Sequence, residues 1–444
     1  MSRQQVGRWC IGTRIILPGL LSRTFNRKVL HSFPEINSVH KIINDPVHGF
    51  ITIKDELIYQ IIAHPDYQRL RRIKQMALAY LVYPGAVHTR LHHSLGAYHL
   101  MTLALNELRL KGTEISDEEF QAAQLAILLH DIGHGPFSHA LEHSLVDMHH
   151  EELSLMIMER LNKQLNGQLD RAMAIFRGTY PKKFLHQLVS SQLDVDRLDY
   201  LARDSFFTGV SEGVIGYDRI IKMLCVKDDQ LLIEEKGIHS AENFLIARRL
   251  MYMQVYMHKT VLSSELMLVN ILKRAKELSR CGHKLFATPA LDFFLHHESD
   301  RLAFEKDEQC LKYFLQLDDS DINAAIKVWS QSEDPILSDL CESLLSRKLF
   351  KVVFSDQPDR DLFVQLKNQL QAQLKLDDKD LHYYLMQEVS SNQTYHAENE
   401  RIRILFKNGT ELDISEVDHS LIHAGLLVPV KKHYICFLKN DLKS

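Results

Sequence analysis

A histidine followed directly by an aspartate, His130–Asp131, stands at the end of a long apolar run. The run from about Glu118 to Leu129 predicts a buried helix, and Gly133 with Gly135–Pro136 predicts that the helix stops there. An imidazole and a carboxylate at the tip of a buried helix are costly unless they pair or bind a metal ion. Because nitrogen and oxygen donors suit a borderline or hard divalent ion, the pair indicates a metal site.

Two other segments supply side chains of the same kind. Upstream, the segment 84–96 reads PGAVHTRLHHSLG, and downstream the segment 193–204 reads LDVDRLDYLARD. Histidine, histidine–aspartate and aspartate then follow one another along three predicted helices, which is a common way to build a site in the core of a helical bundle. Spacing alone does not choose between the neighbours His92 and His93 as the upstream ligand.

Helical periodicity dominates the elements that must hold these side chains. The predicted helices lie near residues 55–63, 66–76, 91–111, 118–130, 149–164, 183–204, 216–224, 239–279, 307–315, 320–330, 334–347 and 360–374. Short strands are predicted within 42–53 and 231–235 and, past residue 349, at 350–354, 402–406 and 433–438, with a hairpin turn at 407–410. The prediction is a mainly α protein: a helical catalytic domain at 39–348 and a smaller mixed α/β lobe at 349–444.

The first 38 residues differ in composition from the rest. They contain several arginines and no acidic residue before Glu35, which is also typical of an organelle presequence. We expect a disordered extension instead, since recognisable motifs begin abruptly near residue 39.

Composition excludes several other classes of protein. The net charge of −4 gives no general attraction to nucleic acid or to an anionic membrane. The six cysteines are scattered without a CxxC pair, so neither a disulfide framework nor a cysteine zinc site is indicated. No apolar run is long enough to span a bilayer. We therefore expect a cytoplasmic protein with no membrane or nucleic-acid partner.

Three flanking motifs carry a resemblance to a known family. These are NDPVHG at 44–49, QRLRRIKQ at 68–75 and DRLDY at 196–200, around the order His, His-Asp, Asp. Together they resemble the HD-domain metal-dependent phosphohydrolases, and within them the deoxynucleoside triphosphate triphosphohydrolases. The resemblance runs from about Lys41 to Lys259 and continues weakly to the end. It implies an HD-domain helical bundle that cleaves a deoxynucleoside triphosphate, dGTP-like, to deoxynucleoside and triphosphate.

The resemblance also implies the metal ligands and the catalytic groups. The implied metal ligands are His93, His130, Asp131 and Asp196. They would hold a divalent ion (Mg, Mn, Fe, Ni or Zn), whose identity stays open. The implied catalytic residues are His150 as general acid, Glu142 to orient it, His134 and Arg90.

Substrate contacts follow in the same way. In the family, the positions of Tyr200 and Asp204 recognise the sugar, and an aromatic ring there excludes a 2′-hydroxyl. Arg197 stands where relatives usually have lysine, which keeps the charge for the phosphates but changes the geometry. The implied substrate-binding residues are Gln75, Met76, His139, Arg197, Tyr200, Asp204, Arg248 and Tyr256.

Other functions stay open at this point. Another HD-type nucleotide phosphohydrolase or phosphodiesterase is one alternative, although the Gly-Tyr-Pro element of the cyclic-dinucleotide group is missing, since Asp218 follows Gly216–Tyr217. A nucleotide-sensing protein without turnover is the other.

Assembly and regulation are expected from the resemblance as well. We expect a homo-oligomer that uses the segment Lys41–Phe50 and the C-terminal lobe. Lys41, Gln68 and Arg71 resemble parts of an activator nucleotide site. Ala63 stands where a member of the family has a guanine-reading aspartate, so any dependence on an activator should differ.

Overall fold

The chain folds mainly into α-helices, which confirms the predicted fold class. The computed structural model describes residues 39–137, 142, 144–392, 395, 401–417 and 430–439. The predicted extension 1–38 and the predicted substrate residue His139 lie outside this part of the chain. The helices are α1 (Glu56–Ala63), α2 (Pro65–Gln68), α3 (Arg90–Leu110), α4 (Asp117–Leu129), α5 (His150–Gln164), α6 (Asp170–Phe176), α7 (Lys183–Val189), α8 (Val195–Thr208), α9 (Tyr217–Met223), α10 (Ile238–Met251), α11 (Lys259–Arg280), α12 (Pro289–His296), α13 (Arg301–Lys306), α14 (Glu308–Phe314), α15 (Asp319–Trp329), α16 (Pro335–Leu345), α17 (Arg360–Leu374) and α18 (Asp378–Leu381).

Short strands form three small sheets beside the helices. The strands are β1 (Lys41–Asp45), β2 (Gly49–Ile53), β3 (Leu224–Lys227), β4 (Gln230–Glu234), β5 (Lys351–Ser355), β6 (Leu385–Asn392), β7 (Arg403–Leu405), β8 (Glu411–Asp413) and β9 (Val430–Phe437). β1 and β2 form an antiparallel hairpin, β5-β9-β6 is an antiparallel sheet, and β3-β4-β7-β8 is a mixed one. The predicted turn at 407–410 joins β7 to β8, with Gly409 at a φ of +85° that favours glycine.

The C-terminal region adds strands to a sheet begun much earlier in the chain. β4 and β7 pair in parallel, with Ile233 opposite Ile404, so the third strand of the mixed sheet comes from beyond residue 400. The few-stranded character of the region agrees with the predicted mixed lobe. The boundary between residues 348 and 349 stays a prediction.

Helices α3, α4 and α8 form the centre that positions the candidate site. α3 packs against both α4 and α8, and its buried face includes Gly96. A Cβ atom on Gly96 would lie 2.0 Å from Asp199 Oδ1 and 2.2 Å from Arg203 Nη2, both on α8. Glycine at this position therefore allows a polar network to fit between the two helices.

The bounds of three predicted helices were wrong. Polar side chains explain why two of these helices are interrupted. The segment 183–204 is two helices, because Asp194 accepts a hydrogen bond from the Arg197 N–H and starts α8. The segment 239–279 breaks after a π-helical turn, Tyr252–Tyr256, and His258 then caps α11. The segment 66–76 ends as the 3₁₀ turn Arg69–Arg72. Helices α6, α12, α13 and α18 and strands β3, β6 and β8 were missed.

None of the described helices is a candidate for a membrane span. Within the described ranges, no helix is both long enough and apolar enough to cross a bilayer.

A buried arginine donates hydrogen bonds to the loop that follows α4. Arg69 is fully buried, and its guanidinium donates hydrogen bonds to the carbonyl oxygens of Ile132 (2.8 Å), His134 (2.9 Å) and Leu317 (3.2 Å). Its guanidinium carbon lies 4.8 Å from the centre of the Phe314 ring. These contacts hold the residues just after His130–Asp131 in place.

We expect Arg69→Met to destabilise the protein. Methionine fills similar volume but leaves the three carbonyl groups without a donor, and each buried unsatisfied group costs on the order of 1–3 kcal/mol. Urea unfolding followed by circular dichroism measures the loss. The exposed Arg71, which binds Gln68, gives the matched control Arg71→Met, expected to change stability by less than about 0.5 kcal/mol. Equal stability of the two variants would contradict this role of Arg69.

Candidate active site

The four predicted metal ligands meet where three helices come together. His93 comes from α3, His130 and Asp131 from the end of α4, and Asp196 from the first turn of α8. His93 Nε2 lies 3.3 Å from His130 Nε2 and 3.0 Å from Asp196 Oδ1. Asp131 Oδ1 lies 3.3 Å from His130 Nε2. The structure thus brings each of the two imidazoles within 3.6 Å of both carboxylates.

The outer nitrogens of the two imidazoles have fixed partners. His130 Nδ1 lies 2.6 Å from the Ile127 carbonyl oxygen, which only accepts, so this nitrogen carries the proton. His93 Nδ1 lies 2.8 Å from Asp199 Oδ2 and donates to that carboxylate. In the neutral rings, both Nε2 atoms then present lone pairs to each other. Two lone pairs at this distance repel unless a positive charge lies between them, and a divalent metal ion fits that place.

The carboxylates around His93 favour positive charge at this place, whether it is a proton on the ring or a metal ion. Burial alone would lower the pKa of His93, but hydrogen bonds to Asp196 and Asp199 outweigh it and raise this pKa to about 10. Burial would raise the pKa of Asp131, but His130 and Arg90 hold it well below its usual range. The carboxylates are therefore ionised and the cluster attracts a cation, as expected of an HD domain, a fold that binds divalent metals.

A second layer of buried polar contacts orients His93. Besides His93, Asp199 contacts His48 Nε2 at 2.6 Å, and it accepts two hydrogen bonds of 2.9 Å from Arg203. Arg203 also donates to Asp45 at 2.8 Å. Because His48 and Asp45 belong to the β1–β2 hairpin and its turn, the hairpin is tied to a metal-ligating side chain.

Asp199, His48, Arg203 and Asp45 were not among the predicted site residues. The available signal was the spacing of Asp199 three residues after Asp196, combined with the NDPVHG motif that contains His48. A carboxylate on the buried side of a helix needs a partner, and the motif supplied one from a distant part of the chain.

His92, the neighbour of His93, has a structural place at the start of α3. Its Nδ1 accepts a hydrogen bond from the Thr89 N–H at 3.1 Å, and the Thr89 side chain accepts from the His92 backbone N–H, so the two residues form a capping box. The side chain is therefore engaged in ending the loop before α3, and the histidine in the cluster is His93.

A second group of metal-ligand type adjoins the first. Asp131, His134 and His150 offer ligand atoms that lie within 4.8 Å of one another. The rings of His134 and His150 stack at a centroid distance of 3.9 Å. Glu142 Oε1 accepts from the His150 N–H at 3.2 Å and lies 3.3 Å from its Nδ1, as expected of a group that orients this imidazole. Burial, reinforced by Arg90, lowers the pKa of His134 well below its usual value, so this ring is neutral.

Both groups border a cavity of about 530 Å³. The predicted site residues that line it are Gln75, Met76, Arg90, Asp131, His134, His150, Asp196, Tyr200, Asp204 and Tyr256. Tyr256 donates its hydroxyl proton to Asp204 Oδ2 at 2.7 Å, and His88 Nε2 lies 2.8 Å from Asp204 Oδ1. Burial raises the pKa of Tyr200 to about 12, so its hydroxyl stays protonated. The volume suits a ligand of nucleotide size.

Two arginines that were predicted to contact phosphate are not among the residues that line this cavity. Arg197 pairs with Asp194 in the first turn of α8 and donates to the Ser191 carbonyl oxygen. Arg248 lies 3.4 Å from Gln192 Oε1, and its buried Nε has no hydrogen-bond partner among the residues that the structure describes. Arg248 thus keeps a donor that is not used within the protein.

Comparison with known proteins places this site in a family. The model of the HD domain matches residues 90–204, and that of the HD associated region matches residues 215–287. The uncharacterized protein YwfO of Bacillus subtilis is 35% identical over 393 residues, which cover 85% of this chain and 88% of YwfO. The deoxynucleoside triphosphate triphosphohydrolase SAMHD1 of Homo sapiens is 29% identical, over 77% of this chain and 60% of that protein. The chain belongs to the HD-domain phosphohydrolases that include these triphosphohydrolases.

A solved structure supports the same assignment for this HD-domain protein. A phosphohydrolase from Bacteroides thetaiotaomicron is 52% identical, with a TM-score of 0.87 over 90% of this chain and 100% of that one. The resemblance carried by the three sequence motifs is confirmed, and so is the hydrolase class of the protein.

Removing His48 should weaken metal binding by this HD-domain protein. In His48→Ala, Asp199 loses one buried partner and holds His93 less firmly, and loss of such an outer contact typically costs 10–100-fold in metal affinity, about the range expected here. Calorimetric titration with Mn²⁺ and metal content after dialysis measure the change. His283→Ala, at an exposed histidine, is the control. Unchanged affinity in a folded His48→Ala protein would show that the hairpin does not support the ligand.

Proposed function

We propose that this HD phosphohydrolase cleaves deoxynucleoside triphosphates, dGTP among them, to the deoxynucleoside and triphosphate. The observation that carries the proposal is the cavity that joins the two groups of ligand type to Asp204 and Tyr256. One wall offers Asp131 and Asp196, which suit a metal ion and phosphate, and another offers a carboxylate and two phenols, which suit a sugar. The similarity to triphosphohydrolases supports the same substrate class.

The ligand set His93, His130, Asp131 and Asp196 would hold the divalent ion. When bound, such an ion neutralises phosphate charge and makes a water molecule more acidic near neutral pH. Mg, Mn, Fe, Ni and Zn all stay candidates. One ion or two also stays open, since Asp131, His134 and His150 form a second group.

The remaining groups have roles in the cleavage of the bond between the α-phosphorus and the 5′-oxygen. Water supplies the new oxygen on phosphorus, and His150, oriented by Glu142, donates the proton that the leaving 5′-oxygen needs. Arg90, with its neighbour His134, faces the phosphates. Arg197 and Arg248 contribute positive charge from behind the cavity wall, and His139 keeps its predicted role.

The sugar would occupy the part of the cavity around Asp204. The Asp204 carboxylate accepts a hydrogen bond from the 3′-hydroxyl, next to the one that it accepts from Tyr256. The Tyr200 ring occupies the space that a 2′-hydroxyl would need, which favours deoxyribose. Gln75 and Met76 bracket the sugar from the other side, and Gln75 Oε1 has no hydrogen-bond partner within the described part of the protein.

Assembly and regulation are part of the proposal. Phe50 and Ile42 on the β1–β2 hairpin are 71% and 56% exposed, which suits a contact between copies of this chain in a homo-oligomer. Lys41, Gln68 and Arg71 would contribute to an activator nucleotide site, and a cytoplasmic location is proposed with it.

A panel of nucleoside triphosphates tests the proposed reaction. We expect metal-dependent release of triphosphate from deoxynucleoside triphosphates, measured by chromatography with each of the five metals. Asp131→Ala should abolish both turnover and metal retention, because it removes a ligand and the partner of Arg90.

Other products of the panel would favour other functions. Release of orthophosphate would indicate a different nucleotide phosphohydrolase, and cleavage of cyclic nucleotides would indicate a phosphodiesterase. Binding without hydrolysis would indicate a sensor. Full activity of Asp131→Ala would contradict the site.

Tyr200 should set the preference for deoxyribose. In Tyr200→Ala the space beside the sugar opens, so we expect the ratio of kcat/KM for deoxy- over ribonucleotides to fall about tenfold, which corresponds to about 1.4 kcal/mol. Tyr200→Phe keeps the ring and should keep the ratio. If the ratio is the same in all three proteins, another group reads the 2′ position.

A further inference from the structure

A single carboxylate stands in the otherwise uncharged remainder of the cavity wall. Glu265 lies on α11, one helical turn after Val261, and both side chains line the cavity together with Ser390 of β6. The other lining residues outside the catalytic and sugar-binding set are Ala77, Ala79, Phe137, Tyr252, Val255 and Met257. Among the described lining residues of this part, Glu265 alone carries a charge.

The carboxylate of Glu265 has no partner that accounts for it. Burial raises its pKa to about 7, and within the described part of the chain its carboxylate has no hydrogen bond or ion pair that lowers this pKa. Asp199, by contrast, is buried with contacts to His93, His48 and Arg203. Glu265 is half-buried, and a carboxylate that faces a largely apolar cavity wall is stabilised when a ligand in the cavity donates hydrogen bonds to it.

Glu265 lines the same cavity as the residues proposed to hold the phosphates and the sugar. If the phosphates lie at Asp131 and Asp196 and the sugar lies at Asp204 and Tyr256, the base must occupy the remaining wall. α11 begins three residues after Tyr256, and the step from Val261 to Glu265 advances about 6 Å along its axis. The face of α11 thus extends the cavity wall beyond the sugar position.

We propose that Glu265 reads the base and selects guanine, an inference that rests on the proposed function. An ionised carboxylate only accepts hydrogen bonds, and it accepts two side by side. Guanine presents two adjacent donors, the ring N1–H and the 2-amino group. Adenine and cytosine present one amino group next to an acceptor nitrogen, and thymine presents one ring N–H between two carbonyl groups. Guanine therefore pairs with both carboxylate oxygens, and the other bases pair with one.

Substrate and protein variants together test this pairing. The substrates are dGTP, dITP (which lacks the 2-amino group), dATP, dCTP and dTTP, and the measured quantity is kcat/KM. We expect dGTP to exceed dITP about tenfold in the wild-type protein, since a hydrogen bond to a charged group is worth roughly that factor. In Glu265→Gln the advantage of dGTP over dITP should disappear while kcat/KM for dTTP changes less than threefold. Glu298→Gln, at a glutamate 83% exposed, is the control.

Nucleoside binding gives a second readout that does not depend on turnover. Calorimetry with deoxyguanosine, deoxyinosine and thymidine should show tightest binding of deoxyguanosine to the wild-type protein and similar binding of all three to Glu265→Gln. Urea unfolding shows whether that variant folds. If it does not, the affinities of the wild-type protein for deoxyguanosine and 1-methyl-deoxyguanosine test the role of Glu265. Weaker binding of the methylated nucleoside supports the role, and equal binding contradicts it.

The two proposals fail in different ways. Equal hydrolysis of all five substrates by the wild-type protein overturns the role of Glu265 and leaves the proposed reaction standing. Absence of hydrolysis overturns the proposed reaction, and nucleoside binding then tests the role of Glu265. Equal affinities for the three nucleosides overturn that role. A preference for deoxyguanosine that disappears in Glu265→Gln supports it.

Discussion

The carboxylate of Asp199 lies buried between His93, His48 and Arg203, and these contacts fix where the imidazole of His93 points. Because one imidazole nitrogen is committed to Asp199, the other faces His130 and Asp196. The close approach of α3 to α8 at Gly96 makes room for this arrangement. The positions of the other ligands follow from the same packing, since α4 lies against α3 and delivers His130–Asp131 at its end.

Two kinds of charge compensation coexist in the interior. Around Asp199, positive and negative groups are matched within the protein and the network is complete. Around His93, His130 and Asp196, the ligand atoms are of a kind that suits a divalent cation. The matched network around Asp199 fixes the orientation of His93 and so supports the candidate ligand group.

The candidate ligand set came from the resemblance that short motifs on strongly periodic helices carry, since spacing alone did not choose between His92 and His93. The contribution of His48 could not be predicted in this way, since a contact across about 150 residues leaves no local pattern. The continuous helix predicted over 239–279 failed at a π-helical turn, which shifts the register and places Tyr252 and Tyr256 in the cavity wall. Glu265 was missed for a related reason: its spacing on α11 is that of an ordinary helix, and only the cavity shows what it faces.

The parallel pairing of β4 with β7 has a consequence for biosynthesis. Ile233 meets Ile404, so the β3–β4 hairpin is made about 170 residues before its neighbour strand. Until β7 leaves the ribosome, the edge of β4 presents unpaired backbone groups, a surface that invites pairing with another chain. Closure of that edge is a late step of folding, because it joins residues far apart in the sequence. A chain shortened at the predicted lobe boundary would keep this edge unpaired. The C-terminal strands therefore protect the chain from aggregation by covering the edge of β4.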